Sequence, residues 1–290
     1  AQASLERLDL STWLPPIAEG LEIAGRANAS LQLAGPRERL SGAASFGIDG
    51  LEMAQGEGDA RNRVAFDDAQ AALFYVAGSL CATLGLRADT GGLLDVEIDV
   101  GDAYASDDAL SGTVNLSVPD VTALNVLSDA LAFSEGTLEG EVLITGTRQQ
   151  PRIETDFDAT AIRARLLPLG IELRELRFNA ASTDSGRVRM EAAGQSGEGS
   201  FRLEGNAQLR GDGAPNARAS VKATRLTFLD LPDATGVASL DLSLEASPER
   251  QSLSGSLAVD SASVIVRGLP ESAVRVSDDI VVVNEAKDAP

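Results

Sequence analysis

Carboxylates are the reactive side chains this sequence offers in number, and Asp95, Glu97 and Asp99 bring three of them close together at alternate positions. Paired acids of this kind can donate and accept protons or attack a glycosidic carbon. Residues two apart on a strand share a face, however, and these three lie opposite Leu94, Val96, Ile98 and Val100. A catalytic carboxylate needs a cleft that shifts its pKa. A row of acids on the wet side of a strand instead keeps a sheet soluble and its edges less adhesive. The solvated-face reading is therefore preferred.

The other candidates are weaker. The sequence contains no histidine, which removes Ser-His-Asp and Cys-His nucleophile pairs and imidazole metal sites. Gly194-Gln195-Ser196-Gly197-Glu198-Gly199 is glycine-rich but lacks the Gly-Lys-Ser/Thr ending of a phosphate loop, so it reads as a hairpin turn. Gly211-Asp212-Gly213 and Asp278-Asp279 fall short of calcium-loop spacing. Asn28-Ala29-Ser30 and Asn115-Leu116-Ser117 are glycosylation-type triplets of a common kind. Cys81 is the single cysteine; with Leu80 and Leu84 beside it, a buried, inert thiol is expected. No catalytic residue, metal ligand or cofactor is expected, and the chain does not read as an enzyme.

Composition narrows the classes further. The 290 residues carry a net charge of −20, which disfavours phosphate backbones and anionic surfaces, so nucleic acid is set aside. Hydrophobic residues make up 43% but aromatics only 4%. Leu, Val, Ile and Ala must therefore form the apolar surface, and they coat a sheet better than they fill a thick core. No run reaches the ~18 apolar residues of a membrane-spanning helix. A start at Ala1 is what a mature product or an excised fragment would show.

The elements that carry these residues read as strands almost throughout. Alternation predicts strands at 21–34, 40–53, 61–77, 79–89, 92–102 and 110–118 after a short opening strand with Leu8 and Leu10. It resumes at 136–147, 151–160, 170–181, 186–195, 198–210, 216–228, 235–247, 252–260 and 262–268. Between the two sets, Val121, Leu124, Leu127 and Leu131 fall at helical spacing. Pro119 and Asp120 suit a helix start, so an amphipathic helix of about three turns is predicted over 119–133. That helix opens the second of two modules, 1–118 and 119–290, the second continuing the sheet of the first. A weak repeat accompanies them: Gly25 and Gly35 bracket Leu31 and Leu33, and Gly136 and Gly146 bracket Val142 and Ile144, 111 residues later. From pattern alone, an ordinary β-sandwich and a single curved sheet with an apolar inside are equally compatible.

Two segments favour the curved sheet. Ser261 to Val283, with Leu269-Pro270-Glu271-Ser272-Ala273-Val274 followed by Val276-Ser277-Asp278-Asp279, resembles the stretch that precedes the last part of TamB-family proteins, in the AsmA-like superfamily. Gly170-Ile171-Glu172-Leu173, Gly199 to Gly205 and the hairpin ending at Gly146 are similar to the repeating strands of that family. The resemblance covers most of the chain, is strongest from about Gly136 onward, and sets the chain just ahead of the family's terminal domain. It implies an all-β, elongated, curved, taco-like β-sheet groove with a hydrophobic interior and one or two short helices. It also implies a place in the periplasm, within a protein anchored in the inner membrane and partnered with a TamA-like outer-membrane barrel protein.

The function that follows is shielding of phospholipid acyl chains between the two membranes in outer-membrane biogenesis. The residues expected to line the groove are Leu31, Leu33, Val96, Ile98, Val142, Ile144, Phe201, Leu203, Leu240 and Leu242. The alternative is a chaperone-like module that assists barrel-protein assembly through open strand edges. A third reading, an inert β-solenoid spacer, predicts a filled interior.

Overall fold

A computed structural model describes residues 1–13, 21–36, 40–56, 61–101, 108–183, 187–208, 216–247 and 250–265. Gly211-Asp212-Gly213, Asp278-Asp279 and most of the Ser261–Val283 segment lie outside these residues.

The alternating pattern gives the element order directly. Strands β1 (Gln2–Asp9), β2 (Leu21–Ala34), β3 (Ser41–Gln55), β4 (Asn62–Val76) and β5 (Ser79–Ala88) are followed by β6 (Leu93–Val100) and β7 (Leu110–Val118). Then come β8 (Leu131–Gly146), β9 (Pro151–Leu166), β10 (Ile171–Thr183), β11 (Arg187–Ser196) and β12 (Gly199–Gln208). Strands β13 (Asn216–Leu231), β14 (Ala234–Ala246) and β15 (Gln251–Val264) complete the set. Each pairs antiparallel with its sequence neighbours, so all fifteen form one open, curved sheet in chain order. The curved sheet is therefore the fold, and the sandwich is not. Short crossing elements occur at α1 (Leu10–Trp13) and at 3-10 turns Val121–Leu127 and Leu167–Leu169.

The predicted helix over 119–133 is a correction. Only Val121–Leu127 is helical, and it is a 3-10 turn. Asp120 does cap it, its carboxylate accepting the Thr122 N–H at 2.9 Å. Asn125 then ends it: its side chain accepts the Phe133 N–H at 2.6 Å and donates to the Phe133 carbonyl at 2.9 Å. That pairing turns the chain into β8 five residues earlier than the pattern indicated, so Leu131 joins the ladder opposite Leu166 instead of a helix face. Likewise the two last predicted strands, at 252–260 and 262–268, form one strand through residue 264.

Bulges bend the sheet. Arg7, Ala161, Glu175 and Arg225 have positive φ, and each stands where the ladder register shifts. Such two-against-one positions increase local twist. Two of them are braced alike. The Arg7 N–H donates to Asn28 Oδ1 at 2.9 Å, and Asn28 Nδ2 donates to Asp49 at 2.8 Å. The Arg225 N–H donates to Ser239 Oγ at 3.0 Å, which donates to Asp260 at 2.7 Å.

The weak sequence repeat has a structural counterpart. Gly25 and Gly136 both have φ that only glycine tolerates well, +145° and +126°. A Cβ there would meet Leu51 Cα at 3.2 Å and Ile162 Cα at 2.7 Å respectively. Leu51 and Ile162 are themselves buried and 111 residues apart, as are the crossing-segment anchors Leu10 and Val121.

Candidate apolar groove

Residues directly opposite in an antiparallel ladder share a face, so the register shows how far an apolar stripe continues. One rung runs from Leu31 through Ala44, Leu73, Ala82, Ile98, Gly112 and Ile144 to Ile153, across eight strands. On the same face Gly140 opposes Phe157, and that rung passes through Ala180, Met190, Gly205, Ala219 and Leu244 to Leu253. All ten residues singled out from the sequence stand on this face. None is fully buried: Leu31 and Leu33 are exposed, and the other eight are half-buried. The stripe also contains residues the pattern did not single out, Leu5, Leu73, Ile153 and Leu257 among them. Pairing partners identify these, and periodicity within one strand does not.

The opposite face is mostly polar, although Phe74, Val76 and Leu143 stand on it. Over β6–β9 it carries Asp95, Glu97, Asp99, Glu139, Glu141, Asp156 and Asp158, with Glu139 opposite Asp158 and Glu141 opposite Asp156. Like charges so placed are mildly destabilising and belong on a hydrated surface. Over β11–β14 it is laced by exposed ion pairs such as Arg202–Glu204 at 2.7 Å and Lys222–Asp241 at 3.2 Å.

Cys81 is the second correction. It opposes Asp99 and is half-buried on the polar face, because Leu80 and Leu84, at odd offsets from it, point the other way. Its thiol pKa is pushed up, first by a hydrogen bond with Asp99, then by desolvation and by the charges of Asp99 and Glu97. Ligand atoms of Cys81, Glu97 and Asp99 come within 4.8 Å of one another. A thiol held protonated is a poor metal ligand, though, and the trio remains a surface cluster.

Across its width the groove is asymmetric. Successive connections alternate between two rims. At one rim Leu10 packs on Ala27, Leu51 and Ala69, and Val121 packs on Val118, Ala159, Ile162 and Ala164. Val126 fills the space between Val64 and Ala88 there. The ends of β10 and β13 also meet over the tight β11–β12 turn, where the buried Ser196 hydroxyl donates to the Thr227 carbonyl at 2.7 Å. Toward the other rim, Leu253 on the apolar face is 68% exposed, with Leu33, Leu73, Ile153 and Leu244 also exposed. The apolar face is thus packed along a closed rim and bare along an open one.

Two depressions differ in chemistry. One of about 580 Å³ lies on the apolar face over β1–β5, lined by Leu5, Leu31, Phe46 and Leu73. A larger one, about 900 Å³, is lined over β1–β7 by polar residues such as Asn28, Gln70, Thr83, Asp95 and Glu97 together with Leu5, Phe46, Leu84 and Val96. A twisted sheet is hollow in both directions, and the first hollow is lined by fewer polar groups than the second.

Residues 188–290 match the family of the TamB C-terminal domain. The matched stretch begins in β11, and the same sheet runs without a break into β1–β10. Although the sequence resemblance set the chain ahead of the terminal domain, the match puts residues 188–290 inside it. No solved structure matches the chain.

Proposed function

We propose that this TamB-like module shields phospholipid acyl chains along its apolar face, as part of a periplasmic bridge between inner and outer membranes. The observation that supports this reading is an aliphatic stripe across fifteen strands that, among the described residues, no second layer covers toward the open rim. Each methylene left in water costs about 0.8 kcal/mol, so a bare two-chain lipid faces a prohibitive crossing. Fifteen strands at ~4.8 Å spacing give a trough of roughly 70 Å. Leu, Val, Ile and Ala walls without polar hooks suit sliding over tight retention. The inner-membrane anchor and a TamA-like barrel partner complete the proposal through parts of the protein beyond this segment.

The test is native mass spectrometry of the purified chain together with lipid-transfer assays of Ile98→Arg and Ile144→Arg. Copurified phospholipid, and loss of transfer in folded variants, are expected. Normal transfer by both variants would remove the groove from the account.

One observation favours a second reading. Among the described residues no strand pairs with the outer edge of β15, whose fourteen residues carry one charge, Asp260, and no Lys or Pro to guard the edge. It can accept an extended barrel-protein strand by backbone pairing. Crosslinkers on the apolar face separate the two: lipid adducts support the conduit, peptide adducts the chaperone.

A further inference from the structure

Among the described residues, one place on the polar face gathers arginines. At the open rim of β11–β15, a depression of about 750 Å³ is lined by Arg187, Arg189, Arg218 and Arg250, with Glu245 as the one carboxylate among the described residues. Asn206, Asn216 and Ser252 supply further polar groups. In a chain with 24 basic and 44 acidic residues, four arginines against one glutamate is a local inversion of sign. The ladder builds it: Arg189 opposes Asn206, which opposes Arg218, which opposes Glu245. Arg218 is paired with that glutamate at 3.3 Å. Among the described residues, Arg187, Arg189 and Arg250 have no ion-pair partner.

The position matters as much as the charge. Arg187 and Arg189 flank Val188, which points to the apolar face, so three consecutive residues present cation, aliphatic and cation on the two sides of the rim. Val188 opposes Ala207, which opposes Ala217, which opposes Ala246. This last apolar rung is built of small side chains, and it leaves room beside the rim. Every rung nearer the closed rim is farther from the arginines, and the closed rim itself is filled by packed side chains.

We propose that this arginine bay binds the phosphate of a phospholipid headgroup whose acyl chains lie on the apolar face. The inference rests on the acyl-chain reading above and deepens it by giving the lipid an orientation. Chains enter over the open rim, and the headgroup turns around it onto the polar face. Guanidinium groups suit the role, since they present paired N–H donors to phosphate oxygens. The chain's overall negative charge does not prevent it, because beyond a Debye length of about 8 Å salt screens the distant carboxylates.

The test uses the whole 290-residue chain and three probes: dioctanoyl phosphatidylglycerol, dioctanoylglycerol without the phosphate, and glycerol phosphate without the chains. Binding is measured for the native sequence and for a triple variant, Arg187→Gln with Arg189→Gln and Arg250→Gln, its fold checked by circular dichroism. The native chain is expected to bind the phospholipid about tenfold tighter than the diacylglycerol. The triple variant should lose that margin while binding diacylglycerol unchanged. Equal affinity of the native chain for both lipids, or an unchanged margin in the variant, overturns the headgroup site and leaves the acyl groove standing. Binding of glycerol phosphate as tight as that of the phospholipid also overturns it, since the bay is then a site for free anions. Failure of diacylglycerol to bind at all removes the acyl groove, and the headgroup proposal with it.

Discussion

Val121→Ala tests whether one rim is packed. Val121 is 0% exposed, enclosed by Val118, Ala159, Ile162 and Ala164. The substitution removes two methyl-sized groups from that site, about 1.6 kcal/mol of transfer free energy, and the cavity left behind brings the total to about 2–3 kcal/mol. Because the anchor holds the turn that feeds β8, the loss falls first on local opening there. Amide hydrogen exchange at Ala123 and Phe133 should accelerate by roughly 30- to 150-fold, each 1.4 kcal/mol being a factor of ten. Val76→Ala removes the same atoms at the open rim, where the side chain is 60% exposed, and should change exchange by less than about threefold. Equal effects at the two positions would refute the distinction between a packed rim and a bare one.

Other consequences follow from single sites. Gly136→Ala places a Cβ 2.7 Å from Ile162 Cα at a φ of +126°, and should lower the thermal midpoint through a loss of about 1–3 kcal/mol. The Asp120 carboxyl pKa is lowered by its hydrogen bonds to the side chain and backbone of Thr122. Its stabilisation is therefore fully present above the ordinary Asp pKa of about 3.9 and is lost as pH falls through the lowered value. Exchange at the Thr122 amide should show that acid limb, and Asp120→Asn should flatten it. Cys81, its thiol pKa raised chiefly by Asp99, should alkylate slowly at neutral pH, and Asp99→Asn should speed the reaction; an unchanged rate would separate the thiol from that carboxylate.

Most strands were legible because a half-buried strand writes its two faces into a stride of two. Leu94 to Val100 and Leu240 to Leu244 needed nothing more. The helix over 119–133 failed because helical spacing within fifteen residues cannot see Asn125 binding the Phe133 backbone and drawing Leu131 into a ladder. Cys81 was misplaced by judging its neighbours along the chain, when its real neighbour is Asp99 across the ladder. The face on which each named aliphatic residue lies was legible one strand at a time. The rims were not, because closed and open ends differ through contacts such as Leu10 with Ala69 and Val126 with Val64, which join distant parts of the chain. The arginine bay was hidden for the same reason: Arg187, Arg218 and Arg250 meet only through register.

The central claim, that the aliphatic face is left open for hydrocarbon, is tested most directly at two adjacent positions on β8. Ile144 lies on the apolar face and Leu143 on the polar one. A photo-crosslinking residue placed at each, in cells and in the otherwise native chain, should yield phospholipid adducts at 144 and none at 143. Equal labelling at both positions, or lipid at neither, would contradict it.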